Sequence, residues 1–463
     1  MAFDITKLDF ILPNNWELVR LGDIADINSN TISKKDKFKT IKYIDISSVS
    51  THSMELPKEI LFDQSPSRAR RKLKNNDFII STVRPNLRQF VFLETVEPNW
   101  IASTGFCVVS AKNSKHSWYL YSLVTSETFT EYLSRVANGG AYPAFNAIEI
   151  ENAIIPLPND DDLELINSFA KNINNKIQLN TQTNQTLEAI AQAIFKSWFV
   201  DFDPVRAKAA TLNEGKSEHE ANLAAMSVIC GKNTSELNDT EFKQLWEIAE
   251  AFPSELVKNE EFGEVPKGWE NTTLSEICSM QNGYAFKSSD WRDNGIPVIK
   301  IGSIQSNIVN VFGNGFVDLE YTETKKDFVL KSGDIIIALT GAYVGKAGIM
   351  PANSLAMLNQ RVAKFLPKTI SNNVSYYSYI YCLSQRTELK DFISFTAQGS
   401  AQPNISTKEL LAFKILLGNK ELHLHFEKVC KILLDKMISN SGENENLSSI
   451  RDLLLPKLLN GEI

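Results

Sequence analysis

Two rhythms of apolar residues run along this chain, and they come in the same order twice. The first is short. Mostly apolar runs at 43–49, 78–83 and 90–93, and again at 298–304, 335–340 and 362–366, are set off by Gly, Pro and Asn. Runs of this length between turn residues predict β-strands. A short amphipathic piece precedes each set, at 21–27 or 274–277. A helical stretch follows, at about 118–136 or 376–393, and a last short strand at 153–157 or 413–417 closes the set. Before that last strand, Ser406-Thr407-Lys408-Glu409 reads as a capping box that starts a helix, and Asn146 with Glu149 is expected to do the same in the first set.

The second rhythm has steps of three and four and predicts long helices. Ile166, Phe169, Ala170, Ile173 and Ile177 form one stripe, and Leu187, Ile190, Ala191, Ile194, Phe195 and Trp198 continue it. Asn180, Thr181 and Asn184 fall on the seam between them. Later, Phe426, Val429, Leu433 and Met437 give a stripe, then Leu447, Ile450, Leu454 and Leu458. Run whole, either helix is about 40 residues, or roughly 60 Å. Polar residues and Gly442 at 439–446 predict an interruption of the second. Each helix either packs on its own domain or pairs antiparallel with the other, and two equal apolar stripes favour the pair.

The repetition extends to individual residues. Leu12-Pro13-Asn14-Asn15-Trp16-Glu17 returns as Val265-Pro266-Lys267-Gly268-Trp269-Glu270, and Leu73-Lys74-Asn75-Asn76-Asp77-Phe78-Ile79-Ile80 as Leu330-Lys331-Ser332-Gly333-Asp334-Ile335-Ile336-Ile337. The stretch 139–149 matches 399–409. A period near half the chain is too long for a solenoid; it means one whole domain present twice. The fold class is α+β, with two repeated α/β domains separated by two long antiparallel, coiled-coil-like helices under pseudo-two-fold symmetry. Expected boundaries are a first domain at 1–160, a central helix at 161–203, a partly helical acidic connector at 204–264, a second domain at 265–418 and a last helix at 419–463. Such a chain suits a two-fold partner, and duplex DNA is the commonest.

Net charge, −7, opposes nucleic-acid binding when taken globally, but its distribution does not. Twelve acidic residues face seven basic ones between Arg206 and Lys267, whereas 65–90 holds seven basic residues against Asp77 alone. Five scattered cysteines with no CxxC fit reduced thiols in a cytoplasmic protein rather than a zinc module. No run of eighteen apolar residues predicts a membrane span, and the N-terminus lacks the pattern of a signal peptide.

Reading a DNA sequence needs donors and acceptors at base edges and cations at phosphates. Arg84, Asn86, Arg88 and Gln89, in the turn between two predicted strands, are the best candidates in the first copy; a solvated hairpin turn is the plain alternative. The equivalent turn offers Tyr343 as a stacking face and Lys346 for a phosphate. Tyr142 and Gln402 share one place in the closing loop, where a phosphate contact competes with simple packing. Asn359 and Arg361 either reach a groove or, for Arg361, make an internal salt bridge. Tyr284, Lys287 and Lys300 are weaker candidates. Arg68, Arg70, Arg71, Lys72 and Lys74 read as a phosphate-facing run or as a solvated face.

Enzyme signatures fail. Gly341 to Lys346 is one residue short of a phosphate loop, and Ala347 replaces the hydroxyl that would hold magnesium. No strand-to-helix glycine turn suits S-adenosylmethionine. His423 and His425 point apart on a helix and read as surface residues rather than metal ligands.

The order of these pieces, twice over, resembles the specificity subunit of type I restriction–modification systems across essentially the whole chain. Its most specific pieces are Val265-Pro266-Lys267-Gly268-Trp269 and Gly333-Asp334-Ile335-Ile336-Ile337. Asn359-Gln360-Arg361-Val362-Ala363, the stretch 193–202 and the tail 453–463 add to them. The resemblance implies a non-catalytic DNA-reading scaffold. Each copy would be a target-recognition domain reading one half of a split, asymmetric target. The helices would set the gap and dock two methyltransferase subunits over an adenine in each half, and motor-nuclease subunits would join them. Ile173, Ile177, Leu187, Ile190, Ile194, Trp198, Leu447, Ile450 and Leu454 are the expected pairing or docking positions. No cofactor is expected in this chain; S-adenosylmethionine, ATP and magnesium would sit on partner subunits. A methyltransferase with divergent motifs and a scaffold that reads no sequence are the alternatives.

Overall fold

The computed structural model describes residues 3–7, 10–33, 35–140, 142–304, 307–397 and 403–462. The chain forms two compact units, Met1–Leu179 with Glu445–Ile463, and Asn180–Asn444. Both contain the same domain. In the first, a four-stranded sheet runs in the order Ala25–Ile27, Phe106–Ala111, Asp77–Ser81, Phe90–Leu93. In the second, the same order is Cys278–Asn282, Val362–Pro367, Ile335–Ala338, Ala347–Ile349. Each domain has a further sheet containing one parallel pair. Trp100–Ser103 lies along Thr40–Ile44 in the first, and Leu355–Leu358 along Ile296–Ile299 in the second.

Each domain is closed by its own ends. Glu17–Arg20, just after the repeated tryptophan, pairs antiparallel with Ile154–Leu157, and Glu270–Thr273 pairs with Lys414–Leu417. Trp16 is buried and donates its indole N–H to Asp162 at 2.7 Å, at the start of the long helix Asp160–Phe199. In the first copy the opening motif therefore fastens the domain to the helix that leaves it; the Trp269 indole N–H of the second copy is buried with no such bond among the described residues.

Several expected elements differ. The helix expected at 118–136 is two, Ser117–Val124 and Glu127–Val136, because Ser126 is extended and its hydroxyl caps Phe129 N–H. The 376–393 stretch divides likewise into Tyr377–Gln385 and Thr387–Thr396 at an extended Arg386. The strand expected at 43–49 stops at Ile44, where Asp45 caps a short 3-10 turn. Ser406 and Glu409 form the predicted capping box. Their counterpart does not form, because Glu149 instead accepts from the Tyr132 hydroxyl at 2.6 Å. The connector adds a helix at Asp203–Asn213 and a hairpin, Leu256–Asn259 with Gly263–Pro266, to the helices Glu218–Cys230 and Asp239–Glu250. Buried Lys208 joins it together by donating to the carbonyls of Ala249 and Phe252 at the end of that last helix.

The second long helix, Lys420–Leu459, is one continuous element; the expected interruption at 439–446 is absent. Gly442 serves close approach instead. A Cβ there would lie 2.7 Å from both the side chain and the carbonyl oxygen of Ala352. Within the unit Asn180–Asn444 the two long helices run antiparallel. Phe195 packs on Phe426 and Phe199 on His423, so numbers rise on one helix as they fall on the other. Among the described residues no helix is long and apolar enough to cross a membrane.

His423 is not at the surface as expected. It is fully buried and stacked on Phe199, with neither ring nitrogen hydrogen-bonded among the described residues. Burial lowers its pKa to about 3. Nearby Glu427 is also buried and accepts from the N–H groups of Ser378 and Tyr379 at 2.8 and 2.9 Å, tying the long helix to the start of Tyr377–Gln385. Burial raises its pKa to about 7 against those bonds. A histidine whose folded pKa is lowered stabilises fully above its unfolded value and loses that contribution as pH falls. As pH falls from 6.5 towards 3, therefore, the wild type should lose stability steadily relative to His423→Leu. Glu427→Gln should show the opposite sense, because a raised carboxylate stabilises below 4.5 and loses that contribution as pH rises through about 7. Urea unfolding of the three proteins across this pH range checks both signs.

Candidate nucleic-acid interface

The turn between the two central strands carries the strongest candidates of the first copy, and the fold holds it rigidly. Arg84 and Arg88 both take the left-handed conformation, at φ 49° and 53°, around the 3-10 turn Pro85–Leu87. The closing loop is zipped to this turn. Arg84 N–H donates to Pro143 O at 2.7 Å, and Phe145 N–H donates to Thr82 O at 3.1 Å. The Arg84 guanidinium then lies over the Tyr142 ring, 4.5 Å from its centre, and Tyr142 is 70% exposed. An exposed stacked Arg–Tyr pair, with Asn86 beside it, presents a fork of donors and a flat aromatic face.

Arg88 and Gln89 do not join them. Arg88 turns inward, donating to the Thr125 carbonyl at 3.3 Å, with its Nε buried. Gln89 donates to the carbonyls of Ile46 and Val49, each at 3.1 Å, and fastens the turn to the neighbouring segment. Both support the turn from behind. The basic run is divided as well, because Ala69–Lys72 is a strand and its side chains alternate. Arg68 and Arg70 are exposed, with Arg70 Nε bonded to Ser67 O at 3.0 Å; Lys74 is also exposed, and Arg71 is half-buried. Lys72 pairs with Asp36 at 2.6 Å and by that bond holds the carboxyl at about 2, so its charge is already matched.

The second copy repeats the construction. Gly341–Tyr343 is again a 3-10 turn between the central strands. Gly341 N–H donates to Pro403 O at 2.9 Å and Ile405 N–H to Leu339 O at 3.0 Å, the same zipper residue for residue. Lys346 is exposed, and its ammonium lies 5.0 Å from the centre of the Tyr343 ring. Gln402, the expected counterpart of Tyr142 in the second copy, lies outside the described residues. Arg361 is exposed at φ 72°, and its carbonyl accepts from Leu339 N–H at 2.8 Å, which sets it beside the turn. Asn359 is half-buried, and its backbone bridges to Tyr284.

Tyr284 sits in an aromatic cluster with Phe286 and Phe328, at 4.9 and 5.3 Å, so packing dominates its role. Lys287 is exposed. Lys300 lies 3.8 Å from the centre of the Trp291 ring, and burial lowers its pKa. Trp291 and Lys325, whose ammonium lies 5.1 Å from the Tyr284 ring centre, were not predicted. Neither stands in a repeated motif, and only the fold brings them to those partners.

Of the helix positions, Ile173 and Trp198 are buried, and Ile177, Leu187, Ile194, Leu447 and Leu454 are half-buried. Ile190 and Ile450 are 43% and 45% exposed, more than the other expected positions. The buried seam instead runs through Ala191 and Phe195 on one helix and Leu422, Phe426, Cys430, Leu434 and Met437 on the other. Among the described residues, no three His, Cys, Asp or Glu side chains converge as a metal site would require.

The family profile "Type I restriction modification DNA specificity domain" matches residues 13–189 and 266–421, one match on each copy. The HindI specificity subunit of Haemophilus influenzae is 31% identical, over 97% of this chain and 100% of that protein. The MjaIX specificity subunit of Methanocaldococcus jannaschii is 24% identical, over 78% of this chain and 72% of its own. Among solved structures, the S subunit of a type I restriction–modification system from M. genitalium covers 97% of both chains at 15% identity, with a TM-score of 0.46.

Proposed function

Since the chain belongs to the type I restriction–modification DNA specificity family, we propose that it is the sequence reader of such a complex, with one half of a split, asymmetric target read by each copy. One observation carries this reading. The same edge, a left-handed or glycine turn zipped to the closing loop, is built twice and each time exposes a cation against an aromatic ring.

In the first copy Arg84 and Asn86 supply base-edge donors and Tyr142 a stacking face; Arg68 and Arg70 contact phosphates. In the second, Tyr343, Lys346 and Arg361 take these parts. The long helices set the gap between the halves and dock two methyltransferase subunits, with exposed Ile190 and Ile450 available to them. Motor-nuclease subunits join that assembly. The chain itself is non-catalytic and acts in the cytoplasm; S-adenosylmethionine, ATP and magnesium work on the partners.

The test is a pair of substitutions in the assembled complex. Arg84→Ala should weaken recognition by roughly 1–3 kcal/mol and relax only the half read by the first copy. Lys346→Ala should leave base preference intact in both halves and reduce the salt slope of binding by about one. Uniform loss across all sequences from Arg84→Ala would contradict base reading by that turn.

A further inference from the structure

Polar side chains replace the apolar seam at one level of the helix pair, within the unit Asn180–Asn444. Asn180 Nδ2 donates to Glu443 Oε2 at 2.8 Å and to Asn444 Oδ1 at 2.9 Å. Asn184 Nδ2 donates to Ser441 Oγ at 3.0 Å and to the Met437 carbonyl at 3.2 Å. Asn184 Oδ1 accepts from Asn440 Nδ2 at 2.9 Å. Asn180, Asn440 and Ser441 are buried, and apolar seam residues lie beyond them: Leu187 and Ala191 on one helix, Met437 and Leu434 on the other.

An apolar seam discriminates poorly between alignments, because one aliphatic side chain fits a neighbouring seat nearly as well as its own. A buried amide does not. Shifting one helix along the other by a turn, about 5.4 Å, would separate all of these donors and acceptors and leave amides buried without partners. One polar position inside an apolar helix interface is a known means of selecting a single register.

We propose that the Asn180–Asn184–Asn440 layer is a register lock and, through it, a determinant of how many unread base pairs the protein accepts between half-sites. This rests on the reading that the helices set the gap. With a base pair occupying about 3.4 Å of duplex, a one-turn slip corresponds to one or two base pairs, a difference that counting methylated sites can resolve.

The experiment uses the full chain assembled with its methyltransferase partners. Asn184→Leu combined with Asn440→Leu removes both members of the central bond and leaves of the layer only Asn180, with its bonds to Glu443 and Asn444, and Ser441. The variant should melt no lower than the wild type and should recognise both half-sites unchanged. Methylation at targets whose gap is one or two base pairs longer or shorter should rise at least about tenfold relative to the correct gap. A single Asn184→Leu, which strands Asn440, should lower the melting temperature instead. An assembled double variant as strict about the gap as the wild type overturns the proposal. If the leucine pair does not assemble, Asn184→Ala with Asn440→Ala removes the same bonds without added bulk and is read in the same way. Failure of both to fold also overturns it, because the layer would then hold the fold rather than choose a register. A wild-type complex with no gap preference would instead refute the underlying reading that the helices set the spacing.

Discussion

Replacing residues 13–157 with the matching segment of another specificity subunit changes one half of the methylated target completely and leaves the other half as it was. This follows from construction. The first domain closes on itself by pairing Glu17–Arg20 with Ile154–Leu157, and the second does so independently with Glu270–Thr273 and Lys414–Leu417. Each has its own turn and closing loop. The exchange keeps the long helices, so the number of unread base pairs stays the same. Mapping modified bases in a host carrying the hybrid gives the answer. A change in both halves at once would mean that the copies are not separate readers.

The second large effect is on folding. Gly283→Ala should destabilise the second domain by about 3 kcal/mol, the upper end of overpacking costs. A Cβ at Gly283 would fall 1.9 Å from the Asn359 carbonyl oxygen and 2.3 Å from its carbon, both backbone atoms. Nothing there can rotate away. Gly283 N–H also donates to Val362 O at 3.1 Å, in the sheet that carries the Gly341–Tyr343 turn. In the complex the variant should lose the second half-site first. A urea midpoint within error of the wild type would show that this strand end can shift at little cost.

The repeat and the two long helices were legible because they rest on many residues each; the order of strands was not, since Phe90–Leu93 matches Ala347–Ile349 in its sheet and Phe106–Ala111 matches Val362–Pro367. Residues that decide single joints were not either. An apolar run through 118–136 predicts one helix, but Ser126 caps Phe129 locally, and that bond outweighs the continuing pattern. Polar 439–446 predicts a break, yet the helix continues because Asn180 and Asn184 satisfy those side chains across the pair. Gly442, which reads as a helix breaker, is needed for contact with Ala352. In the turn around Pro85–Leu87, Arg84 and Arg88 look equivalent in sequence. Only the fold separates them, with Arg84 stacked outward on Tyr142 and Arg88 bonded inward to Thr125.

The central claim is that one chain reads two separate half-sites. Modified-base mapping of DNA from a host with and without this chain, its methyltransferase partner present in both, tests it most directly. The account predicts adenine methylation at one split motif, two different specified halves around a fixed number of unspecified base pairs, present only with the chain. A continuous or palindromic motif, or methylation that persists without the chain, would contradict it.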